Sequence, residues 1–389
     1  MNRSKTGLAS VLLGMGLGVS AAWAAGASIP EPLPEETVRV EKLAPADGNR
    51  IYVTDPAFGH MVDSRVLVLD GNSGRFLGLI GTGFGAVTTL SRDGKSIYVA
   101  TTYYPRLSRG RRDDVFEIHD TQTLELKAEI DIPPRRAQGL SYRGMLTSSA
   151  DGRFVYIQNA TPATSVTVVD LESRKAVAEV QTPGCWSIYP WRTAQRFSTL
   201  CGDGTMLTVG FDAAGQPTTR SRSAKFFDPD SDPIFTHPEV DGDQIYFVSY
   251  NGNVYGVRLA GDAPAFDAAW SLLDGRDKKN NWRPGGLQIS ALHRASGTFF
   301  VNMHDKGAEG SHKNPSKEIW AFDLASRKRL ARIPSNHAVS ITASQGGSGQ
   351  LFLLNIEKAS IEVHHIAAGY PKVREINGVG ETAMFMEVN

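Results

Sequence analysis

The sequence predicts an all-β protein: one seven-bladed β-propeller of four-stranded antiparallel blades over residues 25–389, preceded by a signal peptide at 1–24. Two recurring signatures and their shared spacing carry this expectation. In the first, an apolar strand ends in Asp and is followed three residues later by Ser or Thr. It occurs at Asp70 with Ser73, Asp120 with Thr123, Asp170 with Ser173 and Asp323 with Ser326. The Asp positions lie 50, 50 and 153 residues apart, and the last interval is close to three periods, which places two worn copies between them, at 209–212 and 254–259. In the second signature a short polar turn precedes a strand, as at Asp47-Gly48-Asn49, Asp93-Gly94-Lys95, Asp151-Gly152-Arg153 and Asp241-Gly242-Asp243. Weaker forms stand at 193–195, 295–297 and 347–349. Asp-Gly supplies the positive φ that a tight hairpin needs, so seven turn-plus-strand units read as seven antiparallel meanders of about 50 residues each.

Taken in order, the chain opens with Arg3 and Lys5, a weakly apolar run from Leu8 to Val19 and the small-x-small site Ala22-Trp23-Ala24, the pattern of a cleavable export signal. Strands such as Val66 to Leu69 are apolar on both faces, as expected of strands sandwiched between neighbouring blades. Thr382 to Met386 has no following hairpin partner, so it is expected to supply the inner strand of blade 1; Glu36 to Val40 is the alternative, as an added outer strand. Helix is almost absent, with a short turn near Ser271-Leu272-Leu273 as the best candidate.

Composition narrows the functional classes. Lys+Arg and Asp+Glu are both 41, and this balance argues against nucleic acid or an anionic membrane surface as partner. After signal removal, acids exceed bases by two. Cys185 and Cys201 are the two cysteines; in an oxidising compartment such a pair is expected to form a disulfide, and no Cys-x-x-Cys-His is present for haem attachment.

Local catalytic signatures are missing. Gly94-Lys95-Ser96 sits in a hairpin rather than at a helix start, with Thr89 where a phosphate loop needs glycine, and no Gly-x-Ser-x-Gly or His-Glu-x-x-His occurs. His364 and His365 are adjacent on a strand and point to opposite faces, whereas His304 and His312 flank one loop that could bring their rings together. No metal site is expected. Arg106, Arg109, Arg111 and Arg112 lie between strands, either as a solvated loop or as a protein-docking surface. Trp282-Arg283-Pro284-Gly285-Gly286 reads as a tight turn carrying an aromatic and a cation, either structural or part of an interacting loop.

Several stretches resemble the large subunit of quinoprotein amine dehydrogenases: Ile51 to Pro56, Ser108-Arg109-Gly110, the Cys185–Cys201 pair with Gly202-Asp203-Gly204, Trp282 to Gly286, and His293-Arg294-Ala295. The resemblance runs from about residue 36 onward. Thr101 to Tyr104, Gln158-Asn159-Ala160, Asp232 to Phe235, Ser249 to Tyr255 and Gly310 to Lys313 are closer to aromatic amine dehydrogenase than to methylamine dehydrogenase. The resemblance implies a periplasmic α2β2 heterotetramer, with tryptophan tryptophylquinone and the catalytic base on the small subunit. It further implies arylalkylamine substrates and azurin or a similar blue-copper protein as electron acceptor. No catalytic residue is then expected in this chain. Phe58 is expected to line the substrate approach, and His60, Arg106, Arg109 and Arg111 to contact the small subunit. A methylamine dehydrogenase heavy subunit is the close alternative, and an exported propeller without redox role the distant one.

Overall fold

A computed structural model describes residues 41–139, 141–346 and 349–388. The signal peptide at 1–24 and the strand considered at 36–40 lie outside these. Seven antiparallel sheets follow one another. From inner to outer strand, blade 1 is Phe385–Val388, Arg50–Asp55, Arg65–Asp70 and Phe76–Gly81; blade 2 is Phe84–Leu90, Ser96–Tyr103, Asp113–Asp120 and Leu126–Ile132. Blade 3 is Leu146–Ser148, Phe154–Asn159, Ser165–Asp170 and Lys175–Gln181; blade 4 is Cys185–Pro190, Arg196–Cys201, Met206–Phe211 and Pro217–Arg222. Blade 5 is Glu239–Asp241, Gln244–Val248 and Asn253–Arg258 with a split outer strand, Ala265–Phe266 and Trp270–Ser271. Blade 6 has a split inner strand, Arg283–Pro284 and Ser290–His293, then Thr298–His304, Glu318–Asp323 and Lys328–Pro334; blade 7 is Ser340–Ala343, Gln350–Asn355, Ser360–His365 and Lys372–Asn377.

The two-sided apolar strands now have a reason. Successive side chains leave a strand on opposite faces, so in blade 1 Val66 and Val68 pack with Ile97 and Val99 of blade 2, while Leu67 and Leu69 pack with Phe352 and Leu354 of blade 7. Every junction between consecutive blades has such a cluster of its own. The repeated Asp holds the turn between the third and fourth strands: Asp70 accepts from the Asn72 backbone N–H at 2.9 Å and Asp120 from that of Thr123 at 2.9 Å. The same turn requires a left-handed residue four positions after the Asp, at Gly74, Leu124, Arg174 and Arg327. At Gly74 this costs little. The worn copies fall where the period places them, in the third strands of blades 4 and 5.

The ring is closed by the C-terminal strand. Phe385–Val388 pairs with Arg50–Asp55, with Val53 opposite Met386, three residues later than the sequence suggested, because the stretch before it is drawn onto Asp55. The helix expected near Ser271 to Leu273 is also displaced. Ser271 ends a short strand, and the helix is Gly275–Lys279, started by a capping box between Asp274 and Asp277. Its apolar content is low, so hydrophobic periodicity did not mark it.

Candidate functional site

A meander that starts on one face of the ring returns to it after its second and fourth strands. One face therefore carries the tight turns between strands one and two and between three and four. The opposite face carries the loops between strands two and three and the links between blades. The second face holds all the long excursions, and with them Phe58, His60, the arginine loop, the disulfide, Trp282 and the His304 loop. We call it the loop face.

Phe58 begins the 3-10 turn Phe58–Asp63, and Ala57 before it is left-handed. Phe58 is 48 % exposed. The turn is held by Asp55, whose fully buried carboxylate accepts from the backbone N–H of Ala57 at 3.1 Å, of Glu381 at 2.9 Å and of Thr382 at 3.0 Å. Thr382 Oγ1 at 3.2 Å and Arg65 Nε at 3.2 Å complete the set. Burial opposes ionisation of Asp55, but these donors outweigh it and leave its carboxyl below the usual range. The Phe58 backbone N–H donates to Thr382 Oγ1 at 3.0 Å, so the segment that closes the ring also seats the phenylalanine. His60 bonds Glu381 at 2.8 Å and faces Asp63 at 3.5 Å; Glu381 is pulled low by Arg65 and His60.

On blade 2 the arginine run divides. Arg106 and Arg109 pair through their backbones, N to O at 3.0 and 3.2 Å, with Leu107 at their tip in a left-handed conformation and 77 % exposed. Arg111 makes an exposed ion pair with Asp113 at 2.8 Å. Arg112 belongs to the scaffold instead: its Nε and Nη2 reach the Asp114 carboxylate at 2.8 and 2.6 Å. Asp114 also accepts from the Arg136 backbone N–H at 3.0 Å, and the buried Arg136 guanidinium donates to Thr102 Oγ1 at 2.9 Å and to the carbonyls of Phe84, Gly85 and Ala137. Burial lowers Arg136 to about 10, still protonated at neutral pH. Sequence reasoning missed Asp55 and Arg136; the Pro-Arg-Arg at 134–136 was the available signal.

Cys185 and Cys201 face each other across the first two strands of blade 4 and are bonded. Trp282 is buried and lies under the Arg332 guanidinium at 4.5 Å, and Arg283–Pro284 after it is not a tight turn but a short strand paired with Met303 and His304. His304 turns to its own loop, bonding Ser311 Oγ at 3.4 Å, and no cluster of three metal-ligating residues occurs among the described residues.

The central channel is plugged beneath the loop face. Arg143, at the entry to blade 3, spans it to Glu387 at 3.1 Å, Glu239 at 3.3 Å and Thr342 at 3.2 Å. Tyr142 stacks on His237 with centroids 5.6 Å apart and meets Phe385 edge-on at 5.4 Å. Burial and the Arg143 charge hold His237 at about 3, hence neutral, whereas burial pushes Glu239 up to about 7 against the pull of Arg143. Gln288 completes the plug: its amide exchanges bonds of 3.1 and 3.0 Å with the Met386 backbone, serving the free edge of the closing strand.

These features define a scaffold class: a closed propeller whose turns are short on one face and whose other face presents anchored loops with exposed apolar and cationic groups. A family model described as methylamine dehydrogenase heavy chain (MADH) matches residues 47–387, and the chain belongs to that family. Relatives include the methylamine dehydrogenase heavy chain of Methylobacillus flagellatus, 31 % identical over 86 % of this chain and 83 % of that one. The heavy chain of Methylophilus methylotrophus is 30 % identical over 92 % and 89 %. Among solved structures, the β-propeller domain of Cps50 from Myceliophteria thermophila superposes with TM-score 0.55 at 10 % identity, covering 86 % of this chain and 99 % of that one. Hydrazine synthase of Kuenenia stuttgartiensis gives 0.56 at 14 %, covering 84 % and 95 %. At such identity these structures speak for the fold alone.

Proposed function

We propose that this chain is the non-catalytic large subunit of a periplasmic quinoprotein amine dehydrogenase, docked through its loop face to a small subunit bearing tryptophan tryptophylquinone. The observation that carries the reading is the half-exposed Phe58, seated by Asp55 on the loop face of a family member. Bound on the small subunit, such a quinone would supply two-electron oxidation of the substrate amine, with azurin or a similar blue-copper protein as the electron acceptor. Among the described residues the tryptophans are committed to the scaffold. The indole pair Trp282 and Trp320, with centroids 5.1 Å apart, is buried under the guanidiniums of Arg329 and Arg332, and Trp320 Nε1 is committed to Glu318 at 2.7 Å.

The chain's contribution is therefore positional. Phe58 offers an apolar wall to the body of an amine, Leu107 an apolar anchor for the partner, and His60, Arg106, Arg109 and Arg111 a polar rim, the arrangement expected of an interface. An arylalkylamine substrate is the reading favoured by an aromatic wall and by the Thr101-Thr102-Tyr103-Tyr104 stretch. Methylamine is the second reading, favoured by the relatives' names. The two are separated by coexpressing the chain with its small subunit and assaying tyramine and methylamine with a dye acceptor. A higher kcat/KM for tyramine is expected; a higher value for methylamine refutes the aromatic assignment, and failure to form a quinone-bearing complex refutes the whole reading.

A further inference from the structure

Below the Arg143 plug, on the side of the tight turns, the channel widens into a cavity of about 530 Å³. Besides Arg143 of the plug, three arginines line it: Arg92, Arg192 and Arg294. Each lies just past the inner strand of its blade, Phe84–Leu90, Cys185–Pro190 and Ser290–His293, in blades 2, 4 and 6, so alternate blades deliver the same charge to one opening. None of the three has a carboxylate within ion-pair distance among the described residues, although Arg143, Arg153 and Arg329 each have at least one. Asp151, which lies near Arg92, is occupied by Ser149 Oγ at 2.6 Å and the Arg153 backbone N–H at 3.0 Å. Burial, and then the charge of Arg192, lower the basicity of both Arg92 and Arg294, with Asp151 opposing at Arg92 and Glu239 and Asp241 opposing at Arg294 without outweighing them, which places the three guanidiniums in one electrostatic field.

Like charges held round one opening without a carboxylate in direct contact are costly, and guanidinium forks match oxyanions bidentately. We propose that the tight-turn mouth of the channel is a binding site for a small multivalent oxyanion, of the phosphate or tricarboxylate class, held by Arg92, Arg192 and Arg294. Glu239 and Glu387 at the inner end of the cavity are held by Arg143 and keep the anion from the plug, while Asp243, in the tight turn at the mouth, is the lining acid an anion would have to avoid. The site is on the opposite face from Phe58 and does not depend on the amine dehydrogenase reading.

The test is a titration of the full-length chain with inorganic phosphate and, separately, citrate at constant ionic strength, read by calorimetry and by thermal shift, with sodium chloride as the control. Saturable binding of at least one anion is expected, weakened tenfold or more in Arg192→Gln. Arg192→Lys, which keeps the charge and loses the fork, should fall between the two, and Arg111→Gln on the loop face should bind as the wild type does. The comparison of phosphate with citrate tells which oxyanion geometry the ring fits. Absence of saturable binding by both anions at 20 mM, roughly the weak limit for a three-arginine site, overturns the proposal. So does equal affinity in wild type and folded Arg192→Gln.

Discussion

Replacing Asp55 by Ala should loosen the loop face and the ring closure together. Five donors converge on this carboxylate: the backbone N–H groups of Ala57, Glu381 and Thr382, the Thr382 hydroxyl and Arg65 Nε. In Asp55→Ala they lose a fully buried acceptor. Removing one partner of a buried charge-assisted network costs about 3 to 5 kcal/mol. A domain of about 350 residues unfolds with an entropy near 0.7 kcal/mol per kelvin, so the apparent Tm should fall by about 4 to 7 °C. The pH dependence has a definite sign. The folded carboxyl lies below its unfolded value, so its stabilisation is full above about pH 4 and is lost as pH falls through the folded value. The gap between wild type and variant should hold from pH 5 to 8 and close in acid. Scanning calorimetry measures the shift, and amide exchange should show faster opening at 57–63 and 380–384 than in the outer strands. A Tm within 1 °C of wild type, or a gap that widens on acidification, refutes the account of Asp55 as the common anchor.

Phe58→Ala should leave assembly and quinone content intact while changing the ratio of kcat/KM between tyramine and methylamine by about tenfold, the scale of one apolar contact; steady-state assays of the complex check this, and an unchanged ratio makes Phe58 a surface residue only. Leu107→Asp should weaken small-subunit binding tenfold or more, since an interface leucine contributes about 1.5 to 3 kcal/mol, while the Tm of the free chain stays within about 1 °C; sedimentation of mixed subunits measures it. Peptide mapping without reductant should recover Cys185 linked to Cys201, and the double Ser variant should lose about 3 kcal/mol of stability by the loop-entropy model for a separation of 16 residues. The chain expressed alone should fold yet show neither quinone absorbance nor amine-dependent dye reduction.

The propeller was legible because its determinants are local and repeated. Asp70 and its counterparts bond backbone groups two and three residues on, so each leaves a mark within a few positions of sequence. The clusters between blades echo it in every third strand. What positions the site is written differently. Asp55 meets Glu381 and Thr382, and Gln288 meets Met386, and in sequence nothing distinguishes these from any other polar residue. The arginine run shows the same limit: Arg112 looks like Arg111 as text, yet one is built into the Asp114 and Arg136 network and the other faces solvent. The helix at Gly275–Lys279 escaped because its capping box, not its apolar content, defines it.

The closing strand also sets an order of events. Blade 1 receives its second, third and fourth strands within the first stretch of the described chain, but its first strand only at Phe385–Val388. The Asp55 carboxylate likewise waits for donors 326 and 327 residues away. As the chain folds, six blades can collect in sequence while the first stands with an open edge and an Asp55 carboxylate answered only by Ala57 and Arg65. Exposed edges of this kind invite strangers, and long loop closures are slow. Docking of Phe385–Val388 on Arg50–Asp55 thus converts an open, vulnerable arc into a ring. A shortened chain lacking 381–388 would remain an arc, and is expected to be found with chaperones or in aggregates rather than as a smaller propeller.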